Sequence, residues 1–193
     1  MKRAYIILIA ICIISLNTMA QIFRHEVDSL KSEIAKADKK QKVLLYDALS
    51  RLYWNNNPDT SLYYAELSLL AAKKINDAEL LGEAYNSMGN ASLMLKNTAK
   101  ALDYYVESKG FREKAGDKVK VTHSLNNIGI ACRNMNMYTE SVNAFKEAAE
   151  ISRQLDDYEN EAQMLLRVAE TYDRINNNNK ALEYALNALN IFI

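Results

Sequence analysis

Apolar residues in residues 39–193 recur at steps of three and four, which is the spacing of one face of an α-helix. One such stripe comprises Leu81, Ala84, Tyr85, Met88, Ser92 and Leu95. After the polar stretch Lys96-Asn97-Thr98, a second stripe comprises Ala101, Leu102, Tyr105, Ser108 and Phe111. The pattern predicts helix pairs near 39–54 and 60–75, 79–95 and 98–115, 119–135 and 138–155, and 159–175 and 178–193.

The same pattern returns every forty residues. Asp77, Asp117 and Asp157 are separated by 40, and each follows a polar junction. Four further columns keep this interval: Leu62, Leu102, Val142 and Leu182; Ala48, Met88, Ile128 and Val168; Leu49, Gly89, Gly129 and Ala169; and Ser61, Ala101, Ser141 and Ala181. A fixed period of this length is typical of a solenoid. The sequence therefore predicts an all-α solenoid of four antiparallel helix pairs, at 39–77, 78–117, 118–157 and 158–193.

Turn residues and caps fit this division. Within the pairs, the turns hold Asn56, Lys96, Asn136 and Asn176 at equal intervals. A helix commonly ends on a left-handed residue, and Asn tolerates that conformation better than most residues. For residues 21–38, which precede the repeats, we predict a short capping helix. The spacing of Asp38 and Gln41 indicates a capping box at the start of the first repeat helix.

The columns resemble the tetratricopeptide repeat in a forty-residue form, over about residues 40–193. That family has a small residue in the first helix, another twelve positions later, and an aromatic residue four beyond that. Gly89, Ala101 and Tyr105 match in the second repeat, and Gly129, Ser141 and Phe145 match in the third. The fourth repeat has Ala185 in place of the aromatic residue, and the first departs at Leu49 and Ala65.

The resemblance implies a right-handed superhelix with a concave groove lined by the first helix of each pair, and a noncatalytic scaffold or adaptor that binds a protein or peptide segment there. Some members hold a peptide carboxylate with two Lys, two Asn and one Arg. By register, Asn90, Asn127 and Arg167 match the two Asn and the Arg, whereas Asn86 and Gln163 replace the lysines. The resemblance thus favours recognition of a peptide backbone by amides. The candidate groove residues are Asn86, Asn90, His123, Asn126, Asn127, Arg133, Gln163 and Arg167. An alternative is that these amides only pack and form hydrogen bonds within the array.

The first twenty residues have the order of a secretory signal peptide. Lys2 and Arg3 precede an apolar run from Ala4 to Leu16. Thr18-Met19-Ala20 then has the small-x-small pattern of a cleavage site. A run of this length is short of the ~20 residues of a transmembrane helix. We expect cleavage after Ala20 and a periplasmic or secreted protein without a membrane span, the alternative being an uncleaved membrane anchor.

Charge and composition restrict the function further. The chain has 24 basic and 24 acidic residues, so it lacks the excess of cations that nucleic-acid binding requires. No HExxH, CxxC, GxSxG or glycine-rich phosphate loop is present in the sequence. We expect no enzyme activity, cofactor, metal or nucleic-acid partner. Cys132 lies in an apolar helical pattern and is expected to be buried.

The last helix has no polar outer face. Leu182, Leu186, Leu189 and Phe192 form an apolar stripe, although a solenoid needs a polar terminal helix to remain soluble. We expect this face to pair with a second copy or with a further domain. The leader and long repeats also resemble the extracytoplasmic regions of bacterial sensor kinases and helix-turn-helix regulators. A second hypothesis is therefore a sensor module whose output domain follows Ile193.

Overall fold

The structure is a computed structural model that describes Thr18 and residues 21–192. The predicted signal peptide therefore lies, apart from Thr18, outside the described residues. In the described part the chain forms helices and no strands, beginning with helical residues 21–36 (α1). The following helices are α2 Lys39–Tyr53, α3 Pro58–Ile75, α4 Ala78–Met94, α5 Thr98–Ala115, α6 Lys118–Asn134, α7 Tyr138–Gln154, α8 Tyr158–Arg174 and α9 Asn178–Leu189, with a 3-10 turn at Asn190–Phe192. No helix among these residues is long and apolar enough to cross a membrane.

Each helix packs against the next helix in the chain, so α2 to α9 form four consecutive pairs. One core joins α2, α3 and α4 through Val43, Ala72 and Leu81, and another joins α6, α7 and α8 around Phe145. A smaller cluster of α5 and α6 lies between them. The apolar interior thus extends along the array, as in a solenoid in which every pair contacts its neighbours. The prediction of an all-α solenoid is confirmed.

Helix starts follow the polar columns of the sequence. Asp38, Asp77, Asp117 and Asp157 each accept a hydrogen bond from a backbone N–H in the first turn of α2, α4, α6 and α8. The predicted capping box is present, because Gln41 N donates to Asp38 Oδ1 at 2.8 Å and Asp38 N donates to Gln41 Oε1 at 3.0 Å. Such caps satisfy N–H groups that have no partner inside the helix.

Helix ends depend on left-handed residues. Lys96, Asn136 and Asn176 have φ of 60°, 61° and 57°, as predicted, but Asn56 does not have a positive φ. The prediction for Asn56 is wrong because α2 ends at Tyr53 and the turn to Pro58 is one residue longer than the other three. Between the pairs, a second left-handed set had not been predicted: Asn76, Gly116 and Asp156.

Small residues allow the two helices of a pair to approach closely. A Cβ atom on Gly129 would lie 2.5 Å from the Phe145 ring, and one on Gly89 would overlap the ring of Tyr105. Both aromatic side chains are buried in these contacts. In the first pair the large residue is on the first helix and the small residue is on the second: Leu49 corresponds to Gly89, and Ala65 corresponds to Tyr105. Both Leu49 and Ala65 are fully buried.

Buried serines connect the same helices. Ser61 Oγ donates to the carbonyl of Ser50, and Ser141 Oγ donates to that of Gly129, both at 2.8 Å. Ser108 Oγ likewise donates to the carbonyl of Gly82 at 2.8 Å. A hydroxyl in a fully buried position requires such a partner, because an unpaired buried polar group is destabilising.

The outer helices differ in how they are covered. Helix α1 packs on the first pair through buried Val27 and an edge-to-face contact of Phe23 with Tyr53, whose ring centroids are 5.4 Å apart. At the other end, Leu182, Leu186, Leu189 and Phe192 are all exposed. We call this set the α9 face.

Glycine substitutions test the close approach. Gly129→Ala is expected to destabilise the protein, since overpacking costs about 1–3 kcal/mol and the gain in helix propensity is only about 1 kcal/mol. Gly110→Ala is the matched control in α5, because an added Cβ would meet no atom of the described chain within 4 Å. It should raise stability by about 1 kcal/mol. Urea denaturation compares the two, and equal shifts in the midpoint would contradict the packing argument.

Candidate functional site: a groove lined by amides

A groove of about 450 Å³ runs along the first helices of the pairs. Its lining comprises Arg51, Glu83, Asn86, Arg112, Lys120, Thr122, His123, Asn126, Asn127, Asn160, Gln163 and Met164. These residues lie on α2, α4, α6 and α8, with Arg112 contributed by α5. Five of them carry a side-chain amide, and we call the site the amide groove.

Side-chain amides of neighbouring repeats are held in place by a hydrogen bond between them. Asn127 Nδ2 donates to Asn86 Oδ1 at 3.0 Å, which leaves the Asn86 Nδ2 group as a donor and Asn127 Oδ1 as an acceptor. Asn126 Oδ1 is buried and has no hydrogen-bond partner among the described residues. Gln163 and His123 are exposed at the same site. The groove therefore offers both donors and acceptors in restrained positions.

The cations of the groove are neutralised by neighbouring carboxylates. Arg112, only 3% exposed, pairs with Glu83 at 3.1 Å and also donates to Ser124 Oγ at 2.8 Å. Lys120 Nζ lies 2.7 Å from Glu79 and 3.1 Å from Glu83. The hydrogen bond to Glu79 raises the pKa of Lys120, so the lysine stays charged and paired. The groove is consequently polar without an excess of free positive charge.

The structure brings five of the eight predicted site residues into the amide groove: Asn86, His123, Asn126, Asn127 and Gln163. Asn90, Arg133 and Arg167 do not line it. Asn90 Oδ1 accepts a hydrogen bond from the Tyr105 hydroxyl at 2.9 Å, and Asn90 lines a separate small cavity with Ser50 and Ser61. Its side chain thus connects α4 with α5.

The two predicted arginines are also placed differently. Arg133 is buried, pairs with Glu170 at 2.8 Å and lies over the Phe145 ring at 5.6 Å. Arg167 is half-buried, and its Nε is enclosed without a partner in the described chain. Register places a residue on a helix face but does not decide whether a long side chain folds back onto the array.

Several residues of the groove were not predicted, namely Arg51, Arg112, Lys120, Thr122, Asn160 and Met164. The feature of the sequence that relates to Arg112 is Gly82, which lies opposite it on α4. A Cβ atom on Gly82 would come 2.8 Å from Arg112 Cγ. The glycine thus provides the space through which an arginine of the second helix reaches the groove.

In the part of the chain that the structure describes, no group of three or more His, Cys, Asp or Glu side chains could hold a metal ion. Cys132 is buried, as predicted, and burial raises the pKa of its thiol. A thiol of this kind is a poor nucleophile.

Comparison with known proteins identifies the class. Residues 121–193 match the family model of the tetratricopeptide repeat. Together with the helix pairs and the glycine–aromatic contacts, this match supports the resemblance to the tetratricopeptide repeat, which the family model shows for residues 121–193. None of the curated proteins matches the sequence.

Solved structures with the same fold are distant in sequence. BtubC (BKLC) from P. vanneervenii has 18% identity and a TM-score of 0.74, and the match covers 91% of this chain and 72% of that one. The Signal Transduction ATPase with Numerous Domains with a tetratricopeptide repeat sensor, from Pyrococcus horikoshii, has 21% identity and a TM-score of 0.81, covering 91% and 28%. Aspartyl phosphate phosphatase F from Bacillus subtilis has 16% identity and a TM-score of 0.76, covering 88% and 48%. The chain thus spans less than half the length of the last two, and at these identities the likeness concerns the fold.

A buried carboxylate beside the groove gives a pH-dependent prediction. Asp47 is buried, accepts a hydrogen bond from Ser87 and lies 3.1 Å from groove residue Arg51. Desolvation raises the pKa of Asp47, although Ser87 and Arg51 oppose the shift. The native state therefore binds this proton more tightly than the unfolded state does, and wild-type stability decreases as pH rises from the ordinary Asp pKa towards the raised one.

Asp47→Asn removes this titration and keeps an acceptor for Ser87. We expect the variant to gain stability relative to the wild type as pH rises from about 3 to about 7, because only the wild type must ionise a buried carboxyl. Urea denaturation of both proteins across this range measures the difference. A relative loss of stability at neutral pH would contradict the assignment.

Proposed function

We propose that the protein is a noncatalytic adaptor that binds an extended peptide segment of a partner protein in the amide groove. The tetratricopeptide repeat fold supports a protein-interaction scaffold. The observation that carries the finer proposal is the hydrogen bond between Asn86 and Asn127, which orients one free amide donor and one free acceptor towards the same groove.

A peptide backbone presents a C=O and an N–H at each residue, and these need partners when water is displaced. Amide side chains provide both kinds of partner, whereas a lysine provides only donors. Because Asn86 and Asn127 already restrain each other, little side-chain entropy is lost when a ligand binds. The paired state of Lys120 and Arg112 favours a neutral backbone over a free carboxylate.

A library of displayed peptides provides the probe, and the affinity of the selected peptides is then measured by calorimetry. Asn86→Ala/Asn127→Ala removes both amides together and so leaves neither one unpaired. We expect binding to weaken about tenfold or more, since each hydrogen bond contributes about 0.5–1.5 kcal/mol.

Asn143→Ala is the matched control, because Asn143 is an exposed amide on α7, a second helix of a pair. It should leave the affinity unchanged. Selected peptides that bind the double variant as tightly as the wild type would exclude the amide groove as their site.

A sensor module is the second candidate. It is supported by the likeness in fold to a signal transduction ATPase whose repeats are described as a sensor. The coding sequence distinguishes the two candidates: a kinase or helix-turn-helix domain encoded in the same reading frame after Ile193 would favour the sensor. Either function uses the amide groove for recognition.

We also propose that the protein is exported, on the basis of the basic, apolar and small-residue segments within residues 1–20. Cell fractionation should place it outside the cytoplasm, and N-terminal sequencing should begin at Gln21. A mature chain that retains Met1 in the membrane fraction would instead support an uncleaved anchor.

The α9 face is a candidate contact with a second copy or a further domain. Its four large apolar side chains are exposed on α9 and the 3-10 turn that follows it, and soluble monomers rarely leave large apolar patches open.

A further inference from the structure

A second cavity, of about 300 Å³, lies between α2 and α3. It is lined by Lys39, Lys42, Tyr46, Leu67, Leu70, Ala71 and Lys74, and we call it the lysine pocket. Leu70 is 54% exposed there, so an apolar floor is open to solvent. For comparison, a cavity of about 150 Å³ can hold a benzene ring.

Two residues that line this pocket differ from the residues at the corresponding positions of the later pairs. Ala71 occupies the position of Phe111 and Ile151, whose larger side chains pack against the core clusters around Leu81 and Phe145, respectively. Ala71 itself packs against the first of these clusters. The first pair therefore lacks one large apolar side chain. Conversely, Leu70 stands where the next two repeats have Gly110 and Glu150. The pocket thus combines a missing side chain with an apolar floor that the other repeats do not have.

The rim of the pocket carries positive charge that no described residue neutralises. Lys39, Lys42 and Lys74 form no ion pair within the described chain, whereas neighbouring Lys40 is paired with Asp77 at 2.8 Å. The lining contains no acidic residue. A suitable occupant therefore inserts one large apolar or aromatic side chain and carries carboxylates around it.

One segment of this chain has that chemistry. Tyr158, at the start of α8, is 53% exposed. Four carboxylates lie within three positions of it in the sequence: Asp156, Asp157, Glu159 and Glu161. Among the exposed large apolar and aromatic side chains of the described residues, no other has as many carboxylates so near in sequence. We call residues 156–161 the acidic turn.

We propose that the lysine pocket of one copy binds the acidic turn of a second copy, with Tyr158 inserted beside Ala71. Two helix pairs separate the pocket from the turn within one chain, so the contact forms between copies. Because two different surfaces meet, the association is head-to-tail and leaves a free pocket at one end and a free turn at the other. This surface is distinct from the amide groove and from the α9 face.

The test uses sedimentation velocity of the whole protein over a range of concentrations and salt. The wild type should self-associate, less so at high ionic strength because the rim charges are screened. Ala71→Phe fills the pocket and Tyr158→Ala removes the inserted ring, and each should raise the dissociation constant about tenfold or more.

Mixing the two variants gives the sharper result. Ala71→Phe keeps an intact acidic turn, and Tyr158→Ala keeps an intact lysine pocket, so together they should form a one-to-one dimer that does not grow further. An isologous contact cannot produce this pattern, because both of its halves are the same surface.

Control variants separate binding from folding. Lys74→Glu should also weaken association, whereas Lys114→Glu at the same position of the second repeat should not, since Lys114 lies over the Phe111 ring at 4.8 Å and does not line the lysine pocket. Circular dichroism melts establish that each variant folds, and Phe111 shows that the repeat accommodates Phe at the position of Ala71.

Three results would overturn the proposal. These are a wild type that remains monomeric at all concentrations, association that persists in Ala71→Phe and Tyr158→Ala, and association that is lost only when Leu186→Glu changes the α9 face. None of them bears on peptide binding in the amide groove.

Discussion

The close approach of the two helices in each pair is the constraint on which the rest of the array depends. Gly89 and Gly129 leave room for a buried aromatic ring, and buried serines then connect the backbones across the contact. Because pairs two and three use the same contact forty residues apart, their first helices repeat at a constant offset. Without that offset, side chains such as Asn86 and Asn127 could not reach one another across 41 positions of sequence.

The amide groove follows from this spacing. First helices that lie side by side place polar residues of successive repeats within hydrogen-bonding distance, and the links Lys120 to Glu79 and Asn127 to Asn86 both cross from one repeat to the next. The second helix contributes only where a small residue admits it, as Gly82 admits Arg112. The contacts that form the walls of the groove are therefore also the interfaces between repeats.

The periodicity of the sequence explains why the helix pairs could be predicted. It also explains why some of the predicted site residues do not line the groove. The forty-residue columns gave the helix pairs, since predicted and observed ends differ by two residues or fewer except at the last helix, where the chain turns into a 3-10 turn after Leu189. Asp caps and the left-handed Lys96, Asn136 and Asn176 follow from local chemistry alone. Asn90 and Arg133 are different, because their partners Tyr105 and Glu170 lie on other helices and compete with any ligand. Register could not reveal those pairings, nor that Ala71 leaves a cavity between α2 and α3.

In the first pair the large residue, Leu49, lies on the first helix and the small residue, Ala65, lies on the second. This reversal limits how helices of different pairs can be combined. Pairs two and three hold a small residue against a large ring, so a first helix from one fits a second helix from the other. A first helix from pair one would bring Leu49 against Tyr105 or Phe145, and a first helix from pair two would leave a void beside Ala65. A rearrangement of the gene that moves whole helix pairs therefore keeps these contacts, whereas one that combines a helix of the first pair with a helix of the second or third pair does not.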